Sequence, residues 1–102
     1  MTQVFTVSIN KIAYDNDFNS SVESFILCYC ATKEVADREI ASFIAIFLEE
    51  MEDMQKIKEN DSFILNDEYW ENLRNDVTAN LLKVDGVQKI PLLFITPHSV
   101  KD

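Results

Sequence analysis

From residue 4 the chain alternates, with Phe5, Val7 and Ile9 against Thr6, Ser8 and Asn10, the period of a half-buried strand. The first strand is expected over 4–14. Residues 15–21, DNDFNSS, are dense in Asp, Asn and Ser, which bond their own backbone and tolerate left-handed conformations, so they predict a turn. Residues 22–31, VESFILCYCA, return as a second strand and close an antiparallel hairpin.

The period changes at Thr32. Thr32 suits a helix cap and Glu34 the positive first turn, and Ala36, Ile40, Phe43, Ile44, Phe47, Leu48, Met51 and Met54 follow at helical spacing. The long helix is expected over about 33–58, closed by Lys56 and Lys58 and then by Asn60, Asp61 and Ser62. Residues 62–65, SFIL, are short enough for a strand or a packed connector. Asn66 or Asp67 then caps a second helix with Trp70, Leu73, Val77 and Leu81 on one face, ending near Lys83. Asp85-Gly86 marks a turn, and residues 90–96, IPLLFIT, predict a final strand with Pro91 at its start or on an edge. The remaining PHSVKD, 97–102, is expected as a loose tail.

This order, ββα(β)αβ, predicts a single two-layer α+β domain, its helices packed on one face of a small, largely antiparallel sheet of three or four strands. With 102 residues a self-standing core is feasible, and 47% hydrophobic against 26% charged residues is ordinary globular usage. The start MTQVFTVSIN has no basic segment followed by an apolar run, and no stretch is apolar for the 18 or more residues of a membrane span. A cytoplasmic protein is the expectation. Cys28 and Cys30, two apart in a strand, sit too far apart at Cα for an easy disulfide and are expected as free thiols packed as small hydrophobes.

Several chemistries lack their residues. Phosphate cradles need glycines where backbone meets anion, and Gly86 is the sole glycine. His98, the sole histidine, falls beside Ser99 in the expected tail, a poor place for a base that a third group must hold. A zinc site from Cys28, Cys30 and His98 lacks a fourth ligand and the paired cysteine spacing. Asp15, Asp17, Asn19 and Glu23 imitate a calcium loop but have no glycine and too short a frame. Neither enzymatic activity nor a cofactor or metal is expected.

Charge changes the picture most. The net charge is −9, and residues 49–76 carry −7 of it. On a helix advancing about 100° per residue, Glu49, Glu52 and Asp53 lie opposite the Ile40, Phe47 and Met51 stripe, with Glu50 at the boundary. Glu59, Asp61, Asp67, Glu68 and Glu71 continue the acidic run into the second helix. Ile46 and Val35 fall on the polar side of the long helix, and Tyr69 flanks Trp70 among acids, as apolar anchors ringed by charge do at interfaces.

Such acidity disfavours direct binding to nucleic acid or anionic lipid and favours a basic protein surface. Carboxylates spaced along a helix imitate a row of phosphates. The expected function is therefore a small acidic binding protein that inhibits a nucleic-acid-handling protein by mimicking its polyanion, as phage- or mobile-element-encoded inhibitors of restriction or CRISPR systems do. The alternatives are a face that serves solubility alone, or a homo-oligomeric assembly module, a homodimer for instance, pairing through a sheet edge or through Ile46.

Overall fold

The computed structural model describes residues 2–59 and 67–100, with the backbone alone for residues 57–59. Strands β1 (Thr2–Tyr14) and β2 (Ser20–Cys30) form the hairpin, α1 (Lys33–Glu59) and α2 (Asp67–Thr78) follow, and β3 (Leu81–Val84), β4 (Gln88–Pro91) and β5 (Leu93–Val100) complete the chain. A three-stranded antiparallel sheet has the order β2-β1-β5, and β3 and β4 form a separate antiparallel hairpin. The helices cover one face of the larger sheet, as the two-layer α+β expectation requires. The 62–65 segment and Asn66 lie outside the described residues.

Alternation in β1 decides the layering. Val7 and Ile9 point to the helices, where they are buried with Cys30, Ala36, Met51, Trp70, Val77, Leu92 and Leu93, and Phe5, Cys28, Phe43, Phe47 and Ile95 pack around them. Thr6 and Ser8 point the other way, yet they too are buried, because the central strand is flanked on both sides by larger side chains. Thr32 caps α1: its Oγ1 accepts the Val35 N–H at 3.2 Å and its carbonyl that of Ala36 at 3.1 Å.

The DNDFNSS run makes the β1–β2 turn. Asp15 Oδ1 accepts the backbone N–H groups of Asp17 and Asn19, both at 2.9 Å, and the Asn19 bond chiefly holds this carboxyl below its ordinary range. Phe18 sits at the tip with φ 61° and 86% exposure, a left-handed conformation with no burial to offset it. Phe18→Gly is therefore expected to stabilise the fold by about 0.5–1 kcal/mol, measured by chemical denaturation.

Five expectations need correcting. The second helix ends at Thr78 rather than near Lys83, since Asn80 adopts φ 58° and its backbone N–H bonds Val77 O at 3.0 Å, closing the helix. Leu81 and Lys83 belong instead to β3, joined to β4 through Asp85 and Gly86, both at positive φ. The 90–96 segment divides at Leu92: Ile90 and Pro91 end β4, and β5 begins at Leu93 because the Leu92 N–H bonds Asn80 O at 3.0 Å.

Residues 97–100 are no loose tail. Pro97, His98, Ser99 and Val100 pair with Phe5, Val4, Gln3 and Thr2, and a proline is admitted because β5 is an edge strand. Met54, placed in the core stripe by its spacing, is 49% exposed, whereas Val35 leaves the polar side and packs against the core. Both lie near the ends of α1, where a straight stripe drifts off the sheet beneath it.

Candidate partner-binding face of the two helices

Side-chain spacing on α1 sets the site. Glu49, Glu50, Glu52 and Asp53 are all exposed, as sequence spacing predicts, and Ile46 among them is 46% exposed. The four acids do not form one uniform ridge. Glu49 and Glu52 line a groove between α1 and α2, about 750 Å³ in volume, with Ala45 and Leu48 as its apolar floor and Arg74 and Thr78 on the α2 wall. Helical geometry turns Asp53 and Glu50 progressively away from that groove toward the Ile46 side.

The groove mixes charge. Lys56 Nζ lies 3.9 Å from Glu52 Oε1 one turn back, both well exposed, a pair of a few tenths of a kcal/mol at most. Arg74 Nη2 donates to Gln55 Oε1 at 3.0 Å and ties the helices together across the groove. Glu49, Glu50 and Asp53 make no ion pair among the described residues. Their negative potential is left to solvent.

On α2, Asp67, Glu68 and Glu71 are exposed. Asp67, Glu71, Arg74 and Thr78 stand at spacings of four, three and four, so they share the stripe that meets the groove. Tyr69 does not. It is 48% exposed, sets its ring edge-on to buried Trp70 with 5.8 Å between centroids, and lines a second groove with Ile12, Leu73 and Leu82 on the side of the β3–β4 hairpin. Tyr69 thus stands apart from the groove that Glu49 and Glu52 line: a rotation of about 140° about α2 separates it from Arg74. Glu59 and Asp61 lie outside the residues whose side chains are described.

Ala45, Leu48, Gln55 and Arg74 are the groove residues that pattern reading missed. Arg74 carried a signal, as the one base in the acidic α2 segment; the others are ordinary helix residues until a second helix lies beside them. Chemically the arrangement suits a cationic side chain, whose alkyl stem would lie on Leu48 and Ala45 while its head met Glu49 and Glu52.

The sulfur and imidazole groups are placed differently. Cys28 and Cys30 are free, with Sγ atoms 3.8 Å apart on the helix-facing side of β2, and burial first and the bond to Cys30 second push the Cys28 thiol up, keeping it protonated. His98 Nε2 lies 3.2 Å from Thr6 Oγ1 on the opposite face of the sheet. Among the described residues no three His, Cys, Asp or Glu side chains converge as metal ligands would, and no helix is long and apolar enough to cross a membrane. No protein-family model, curated protein or solved structure matches the chain.

Proposed function

We propose that this protein is an acidic binding module that occupies a basic surface on a nucleic-acid-handling protein, using α1 and the adjoining stripe of α2 in place of the polyanion. The observation that supports it is the exposure of Glu49, Glu50, Glu52 and Asp53 on one helix, beside a groove whose apolar floor fits the stem of an arginine or lysine. Carboxylates one turn apart stand about 5–6 Å from each other, close to the spacing of successive phosphates. The partner in this reading is a nuclease-type protein of restriction or CRISPR systems, and the outcome of binding is inhibition. Asp67 and Glu71 extend the charge along the groove, and the field of the whole chain, at −9, speeds encounter with a cationic surface.

Affinity capture from the native host supplies the partner, and calorimetry at two salt concentrations measures it. Replacing Glu49, Glu52 and Asp53 together by lysine is expected to weaken binding by about 100-fold or more, roughly 3 kcal/mol, and DNA or RNA added in excess is expected to displace the protein. Affinity that is indifferent to both the triple substitution and to salt sinks the proposal.

A further inference from the structure

The larger sheet has a second face, turned away from the helices. β1 presents Thr2, Val4, Thr6, Ser8 and Asn10 there, and the register brings up Ser24, Ile26 and Tyr29 from β2, and Phe94, Thr96, His98 and Val100 from β5. None of these residues is Asp, Glu, Lys or Arg. In a chain with 18 acidic and 9 basic residues, a charge-free face of this extent is what has to be explained. It is also apolar at its high points: Tyr29 is 70% exposed, Ile26 54% and Val100 45%, around a shallow hollow floored by Thr6.

We infer that this face is the interface of a homodimer, in which two copies pack sheet against sheet with their helices outward. Charge selects the occupant. Each copy carries −9, so two copies repel through any acidic surface, and a neutral face set behind the helices lets them meet with the carboxylates pointing away from each other. A basic partner, by contrast, finds nothing here to recognise.

Several polar side chains of the face already have partners within the sheet, which lowers the cost of covering them. Thr6 Oγ1 donates to Thr96 O at 3.3 Å, Ser24 Oγ to Asn10 Oδ1 at 2.6 Å, and Asn10 Nδ2 to Pro91 O at 2.8 Å. The edges, in contrast, are guarded: β2 carries a bulge at Leu27, where the register skips from Cys28 to Ile26, and β5 carries Pro97. No bulge, proline or charge guards the face itself.

Ile26, Tyr29, Phe94, Val100 and the strips between them form a contact continuous across all three strands, and a pair of copies joined through it needs to hide about 1,200 Å², the lower end of specific interfaces. This inference is independent of the acidic-face reading, since a dimer leaves both α1–α2 grooves open.

Sedimentation equilibrium on the full chain, up to about 500 µM, tests it. A reversible dimer with a dissociation constant on the order of micromolar is expected, and Ile26→Lys/Tyr29→Lys is expected to raise that constant at least about 100-fold. Both side chains are more than half exposed, so the variant should keep the wild-type circular dichroism; if it does not fold, oxidative footprinting of the wild type takes its place, with Tyr29 protected on concentration. A wild-type monomer throughout the range overturns the inference, as does a dimer broken by Ile46→Lys on α1 but not by the β2 pair. A monomer that sediments with phosphatidylcholine vesicles gives the face to a membrane and overturns it equally. Amide protection of β2 on dimerisation would move the contact to the edge and overturn the face-to-face arrangement.

Discussion

Asn80→Ala is expected to cost about 3 kcal/mol of stability and to lower the melting temperature by about 15 °C, although the residue is neither charged nor fully buried. Its Oδ1 accepts the Leu93 N–H at 2.7 Å and its Nδ2 donates to Leu93 O at 2.9 Å, while its own carbonyl accepts the Leu92 N–H. Leu93 is 1% exposed, so alanine would leave a buried donor and acceptor without their side-chain partners, at about 1 kcal/mol or more each. Asn80 also sits at φ 58°, where alanine adds about 1 kcal/mol of backbone strain.

Two companion variants separate these contributions by urea denaturation. Asn80→Gly relieves the strain but loses both bonds, and should recover about 1 kcal/mol relative to alanine. Asn80→Asp keeps an acceptor for the Leu93 N–H and tolerates the left-handed backbone, so it should fall between wild type and glycine. An alanine variant within about 0.5 kcal/mol of wild type would show that the clamp is not what fixes the end of α2 against β5.

The same residue explains where the sequence could be read and where it could not. α1 was legible to within a residue, because Thr32 supplies a local cap and about seven turns' worth of spacing leaves little choice of period. The β1–β2 hairpin was legible for a similar reason, its turn being written in Asp15 and Asn19. Leu81, however, continues the helical spacing of Trp70, Leu73 and Val77, and the feature that stops α2 is a bond from Asn80 to a strand 13 residues further on. Asp85-Gly86 was recognised as a turn, but the four-residue strands on either side are too short to declare a period.

The tail failed for the complementary reason. Pro97, His98 and Ser99 are polar or helix-breaking and carry no alternating apolar signal, and they are ordered because β1 offers them an open ladder. Exposure of the α1 acids was legible from spacing alone. The groove was not: Arg74 and Gln55 are 19 residues apart, and only the docking of α2 brings Leu48 and Ala45 to the floor of a shared surface. What docks α2 is its apolar face, and this leads to the second large effect.

Trp70→Ala is expected to cost about 3–5 kcal/mol, the range for removing a buried aromatic, because Trp70 is 5% exposed and belongs to the core that joins α2 to α1 and the sheet. The loss should be local before it is global. α2 contributes no strand to the β2-β1-β5 sheet, so the variant in the cold should keep its hairpin and α1 while surrendering up to the 12 residues of α2 from its helical circular dichroism, against 27 in α1. Amide exchange should be fastest in α2 and at Leu93, whose partner Asn80 follows that helix directly.

Trp70→Phe keeps an aromatic at the same site and should cost no more than about half as much. The pair then discriminates between two origins of partner binding. If the α1 carboxylates act alone, both variants retain affinity for a basic partner; if the groove acts, Trp70→Ala loses it while Trp70→Phe does not, after correction for the folded fraction. The groove predicts the second result, since Arg74 can position neither Gln55 nor the far wall once α2 has left Leu48.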